Sequence, residues 1–106
     1  IMSNGFASMG IALPGAIGAK LAKPQSRVVA ITGDGGFLMN VQELETAKRL
    51  GLAFVCIIWN DGKYSLVEAK QRKNRNDSFA IDFGNVDVSH LAKSFGIEAI
   101  KVERAK

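Results

Sequence analysis

Two apolar stretches, Arg27-Val28-Val29-Ala30-Ile31-Thr32 and Leu52 through Trp59, flank a single helix-length segment. Neither alternates with polar residues, which is the pattern of a strand covered on both faces of a parallel sheet. Strand, turn, helix, strand is a βαβ unit, so the two strands are expected to run parallel, joined by a right-handed crossover. The fold class that follows is α/β, with a mostly parallel sheet flanked by helices. Both strands end in turn chemistry: the first in Gly33-Asp34-Gly35-Gly36, the second in Asn60-Asp61-Gly62.

The remaining segments fit around this unit. Ser8 to Leu21 is small and apolar and reads as a tightly packed helix started or interrupted near Pro14, with Gly10, Gly15 and Gly18 allowing close approach of a neighbouring backbone. Asn40 with Glu43 resembles a capping box. Val41, Leu44, Ala47 and Leu50 recur at helical spacing until Gly51. Tyr64 to Lys73 is a further helix, and Asn74 to Asn85 an irregular excursion. Asp87 caps a short helix through Val88, Leu91, Ala92 and Phe95, stopped by Gly96, and Ile97 to Val102 is expected as a third strand.

With 106 residues the chain has room for one domain, 1–106, and little to spare for a substrate pocket, so a complete catalyst would need another domain or subunit. Its ends, Ile1-Met2-Ser3 and Glu103-Arg104-Ala105-Lys106, read as cut from a longer polypeptide. Apolar residues at 47% and charged residues at 23% exclude a disordered chain. The net charge of +4 concentrates in Lys70-Gln71-Arg72-Lys73-Asn74-Arg75. No aromatic residue is interleaved there for base stacking, so this run reads as a solvated helix end, with nucleic-acid binding a weak alternative. A single cysteine, Cys56, precludes an internal disulfide and fits a reducing compartment. Neither a signal peptide nor a membrane-spanning apolar run is evident, and the location expected is cytoplasmic.

Ligands of open parallel sheets bind beyond the carboxyl ends of the strands, where Asp34 and Asp61 both fall. Gly35 and Gly36 offer unobstructed N-H groups and freedom to adopt positive φ around an anion. A carboxylate repels phosphate unless a cation lies between them. Mg²⁺ accepts one or two carboxylates and completes its shell with phosphate, carbonyl and water oxygens, so the pair points to a metal holding a phosphorylated ligand. A phosphate-binding P-loop is excluded by the absence of its Gly-Lys-Ser/Thr string, and the dinucleotide fingerprint by Leu38 at the third glycine position. A receiver-like Mg²⁺ switch gathers carboxylates similarly, but the strand and adjacent acidic pair it requires do not precede Asp34. A bare tight turn is the bland reading of Gly-Asp-Gly-Gly alone. The second carboxylate at the next strand end argues against it.

The Gly33-Asp34-Gly35 triplet is separated by 24 residues from Asn60-Asp61. This arrangement resembles the thiamine diphosphate motif, in which GDG precedes a pair usually written NN. The resemblance extends upstream through Ser3-Asn4-Gly5-Phe6-Ala7-Ser8-Met9-Gly10 to Ala19, which is similar to the cofactor-binding domain of the acetolactate synthase and pyruvate decarboxylase superfamily. Trp59-Asn60-Asp61-Gly62-Lys63-Tyr64, Phe83-Gly84-Asn85-Val86-Asp87 and Ser94-Phe95-Gly96 most resemble the catabolic acetolactate synthases, which are not flavoproteins and join two pyruvates with loss of carbon dioxide. Asp61 stands where that family usually has Asn, which keeps an oxygen ligand and adds a negative charge.

The resemblance implies Mg²⁺ held by the side chains of Asp34 and Asp61 and the carbonyl of Lys63. It places the diphosphate against Gly35, Gly36, Tyr64 and Ser65, with Gly33 opening the motif. Met9 matches the apolar wedge between the cofactor rings, and the carbonyl of Ala7 matches the group facing the aminopyrimidine. It also implies a homo-oligomer with pyruvate or another 2-oxoacid as substrate. The glutamate that activates the cofactor is then expected on another domain, from a neighbouring subunit, since none of Glu43, Glu45, Glu68, Glu98 or Glu103 matches its motif. No catalytic residue is therefore assigned to this chain. His90, with no second histidine, reads as a surface or capping residue, Trp59 and Phe54 as core, and Lys63 and Lys70 as solvated.

Overall fold

In the computed structural model, which describes Gly5 and residues 8–104, the two apolar stretches form β1 (Val29–Gly33) and β2 (Val55–Trp59). They pair in parallel, Val29 opposite Val55 through Gly33 opposite Trp59. Helix α1 (Ala12–Ala22) precedes β1; α2 (Asp34–Leu38) and α3 (Glu43–Arg49) form the crossover; α4 (Ser65–Arg75) and α5 (Val88–Ser94) follow β2. The parallel α/β architecture is thus observed, as a two-stranded sheet.

The helices converge on one face of it. Leu13 of α1, Phe37 of α2 and Leu44 of α3 form a buried cluster, against which Cys56 and Ile58 of β2 and Leu91 of α5 pack, with Phe95 and Ile97 beyond that helix. Burial of large apolar side chains at such a junction contributes about 1.5–3 kcal/mol each. The opposite face differs from the expectation of a sheet covered on both sides. Val29, Ile31, Val55, Ile57 and Trp59 are exposed, Trp59 by 71%, because every helix contributing to the core lies on the other side.

The helix ends show which local signals operate. Asp87 caps α5 as expected, accepting the His90 N-H at 2.9 Å, while the exposed His90 ring approaches its other oxygen at 2.7 Å. Gly51 and Gly96 terminate α3 and α5 in the left-handed region, at φ 61° and 69°. There the N-H groups of Leu52 and Ile97 reach back to Ala47 and Ala92, satisfying otherwise orphaned carbonyls. The Asn40 capping box does not form. Helix α3 begins after Gln42, and Asn40 instead donates its side-chain amide to the Gly10 carbonyl at 3.1 Å, tying the approach to α1 to the crossover.

Helix α1 begins four residues later than expected, at Ala12 rather than Ser8, with Pro14 in its first turn, where a missing N-H costs nothing. A methyl group at Gly15 or Gly18 would meet nothing within 4 Å, so neither glycine serves the close approach expected of it. The third strand, Ile97 to Val102, is absent among the described residues: no neighbouring strand pairs with it, and Ile100 and Val102 are 83% and 77% exposed. The basic run lies in α4, which buries no residue, consistent with a solvated helix end.

The Asp87 cap makes a pH-dependent prediction. The His90 N-H first, and its ring contact second, hold the Asp87 carboxyl below its ordinary range. A depressed folded-state pKa stabilises above the unfolded-state value, and that contribution is lost as pH falls through the folded-state value. Asp87→Ala is expected to lower the melting temperature near neutral pH. In melts followed by circular dichroism, the gap from wild type should close as acid takes the protein through and below the usual aspartate range.

Candidate functional site

The register that sets Gly33 opposite Trp59 brings the two strand exits side by side. Asp34, the first residue of α2, is the buried polar residue at this junction, 3% exposed. One carboxylate oxygen accepts the N-H of Gly35 at 2.7 Å; the other accepts the N-H groups of Asp61 at 3.0 Å and Gly62 at 2.7 Å. Hydrogen bonds from N-H to an ionised carboxylate are roughly twice as strong as neutral ones. The side chain therefore staples the exit of β1 to the exit of β2.

The Asp61 carboxylate accepts from the Ser65 hydroxyl at the start of α4. An antiparallel bridge pairs Lys63 with Asp82 in the excursion after α4, with Tyr64 N-H donating to Ile81 at 2.9 Å and Phe83 N-H to Gly62 at 3.1 Å. This brings the Tyr64 and Phe83 rings to 4.9 Å between centroids. No backbone hydrogen bond among the described residues ends on the Lys63 carbonyl.

The glycines of the first turn serve a different purpose from the one expected. Gly35 and Gly36 lie within α2 and neither has positive φ. Their small size is what matters, because a Cβ on Gly35 would lie 2.6 Å from Cε1 of Tyr64, and one on Gly36 2.8 Å from the Thr32 hydroxyl. A side chain at either position would have to displace Tyr64 or Thr32.

A cavity of about 420 Å³ opens between the two exits. Met9, Gly33, Asp34, Gly35 and Gly36 line it together with Asp61, Lys63, Tyr64 and Ser65. Every expected site residue within the described part of the chain thus meets at one place, and Ala7 lies outside the described residues. Trp59 corrects an expectation: it lines the cavity rather than the core, because the odd-numbered positions of β2 face outward. Phe54 packs on the core as expected. Lys63 is also more than a solvated side chain. Its ammonium lies 2.7 Å from Glu68, which Arg72 holds at 2.8 Å, and the Glu68 side chain is only 14% exposed. Hydrogen bonding to Lys63 and then Arg72 holds the Glu68 carboxyl low, and the same contact with Glu68 raises Lys63. Sequence reading missed Glu68; the available signal was the helical i, i+4 spacing of Glu68 and Arg72.

The family model described as "Thiamine pyrophosphate enzyme, C-terminal TPP binding domain" matches residues 1–106. The chain belongs to this family. It is 50% identical over 103 residues, 97% of its length, to an acetolactate synthase of Bacillus subtilis (strain 168), and 44% identical over its full length to a catabolic acetolactate synthase of Raoultella terrigena. It also matches a pyruvate oxidase of Lactiplantibacillus plantarum at 34% identity over 98% of the chain. The chain spans 18%, 19% and 17% of the lengths of these three relatives. In this thiamine pyrophosphate-binding domain the GDG triplet covers the end of β1 and the first turn of α2, and Asn60-Asp61 follows directly on β2.

Two substitutions probe the junction with no metal or cofactor added. Asp34→Asn sets an amide donor against backbone donors and should cost about 1–3 kcal/mol, read from denaturant unfolding. Gly35→Ala forces Tyr64 aside and should also destabilise, with truncation of that ring in Gly35→Ala/Tyr64→Ala recovering part of the loss. Wild-type stability in either single variant would contradict the packing described.

Proposed function

We infer that this domain binds thiamine diphosphate through Mg²⁺ and forms the cofactor-anchoring part of a 2-oxoacid carboligase, an acetolactate synthase that joins two pyruvates and releases carbon dioxide. The observation that carries the metal reading is that Asp34 and Asp61, at adjacent strand ends, line one cavity. Oxygen donors alone suit a hard cation, and Mg²⁺ uses few protein carboxylates. The Asp34 carboxylate, with about four lone-pair sites, accepts three hydrogen bonds and retains capacity for a metal. The Lys63 carbonyl would be the third protein ligand. Among the described residues no group of three His, Cys, Asp or Glu side chains is placed to hold a metal, so the remaining ligands would come from the diphosphate and water.

Around that ion Gly35, Gly36, Tyr64 and Ser65 would hold the diphosphate, where the exposed start of α4 favours negative charge. Met9, half exposed on the cavity wall, would support the rings, and Ala7 would offer its carbonyl to the aminopyrimidine. Bound there, thiamine diphosphate supplies the carbanion chemistry. This chain's residues bind and orient it. None of its glutamates lines the cavity, and in this reading the activating glutamate comes from another domain of a second subunit. The higher identities to acetolactate synthases than to pyruvate oxidase favour the carboligase reaction over oxidation. No described helix is long and apolar enough to cross a membrane. Cytoplasmic location and homo-oligomeric assembly complete the proposal.

Calorimetric titration of the whole enzyme with thiamine diphosphate tests the reading. Binding is expected to require Mg²⁺, to be abolished by Asp34→Ala and to be weakened only mildly by Asp61→Asn, which retains an oxygen ligand. Full affinity in Asp34→Ala would remove the metal assignment; pyruvate left unconverted to acetolactate by the wild type would remove the carboligase assignment.

A further inference from the structure

Lys63 poses a problem for any divalent cation at this site. Its ammonium belongs to a residue lining the same cavity as Asp34 and Asp61, and both Asp61 and Asp82 attract it. Lysine is a compact point charge on a flexible stem, able to settle on carboxylates itself. Here it does not settle on them. Its Nζ is held 2.7 Å from Glu68 Oε2, on the first turns of α4. The second oxygen of Glu68 is gripped by Arg72, with Nη2 at 2.8 Å and Nε at 2.9 Å. With a side chain 14% exposed against 38% for Lys63, and with two cations on its carboxylate, Glu68 is the more enclosed partner of the pair.

We propose that Glu68 is a positioning residue that holds the Lys63 ammonium away from the Asp61 carboxylate, keeping it open to a divalent cation. The inference rests on the metal reading above. Releasing Lys63 supplies an internal competitor that Mg²⁺ must displace, so the metal requirement rises while the ligands themselves stay intact. Arg72 serves the same end by restraining the Glu68 carboxylate from its other side. A merely structural role for Glu68, steadying α4, predicts a different outcome, because loss of helix support is not repaired by deleting Lys63.

The test is thiamine diphosphate binding to the whole enzyme by calorimetry at stepped Mg²⁺ concentrations. E68Q is expected to raise the half-saturating Mg²⁺ concentration about three- to fivefold, the scale of a partly exposed charge interaction. The double variant K63M/E68Q is expected to return it to the wild-type value, since methionine keeps the backbone carbonyl and removes the charge. K63M alone, which does not depend on E68Q folding, should require no more Mg²⁺ than wild type. An unaltered requirement in E68Q, a raised one persisting in the double variant, or a raised one in K63M overturns the proposal. Absence of Mg²⁺-dependent binding in the wild type overturns the metal reading instead.

Discussion

One buried carboxylate determines the shape of this domain's functional end. Asp34 accepts N-H groups from its own turn and from the turn after β2, and so joins two chain segments that the parallel ladder brings together but does not itself connect. Parallel strands finish on the same side of a sheet with their exits pointing into solvent. Asp34 supplies the donors of both exits with a shared acceptor. The Asp34 staple closes the gap, and the cavity lies between the stapled turns.

Packing around the staple leaves little freedom. Gly35 is crowded by Tyr64, whose ring rests near Phe83, and the bridge between Lys63 and Asp82 holds that excursion in place. Helix α4 is attached in another way. It buries no residue and is tied by polar contacts: Glu68 to Lys63, and the Gln71 side-chain amide to both backbone groups of Phe79, at 2.8 and 3.2 Å. A closely packed β1 exit thus faces a turn and helix fastened largely by charge and hydrogen bonds. That contrast makes the charge on Lys63 matter to the proposed metal site.

Much of this organisation was legible in the residues, though sometimes for the wrong reason. The two strands, their parallel crossover, the Asp87 cap and the Gly51 and Gly96 stops follow from local patterns whose causes are themselves local. Asn40 shows the opposite case. Its spacing to Glu43 matches a capping box, yet a tertiary partner, the Gly10 carbonyl, takes its side chain. Gly35 and Gly36 are expected to supply positive φ, yet neither has it; what the structure asks of them is small size beside Tyr64 and Thr32. The third strand failed for a related reason: extended residues become a strand only when a neighbouring edge accepts their hydrogen bonds, and none pairs with Ile97 to Val102 among the described residues. Trp59 was misplaced because an unbroken apolar run does not reveal which face of the sheet the helices cover.

By itself the sequence determined the two strands and the helices around them, their parallel pairing and the presence of a carboxylate at each of two strand ends, because strand periodicity, helix stops and turn chemistry act within a few residues. It also carried the family, through a motif whose spacing of 24 residues reflects one crossover. Only the tertiary structure decided that Asp34 spends its carboxylate on three backbone donors, that Tyr64 crowds Gly35, and that Lys63 turns to Glu68. Each of these depends on distances between segments far apart in the chain, which residue order alone does not specify.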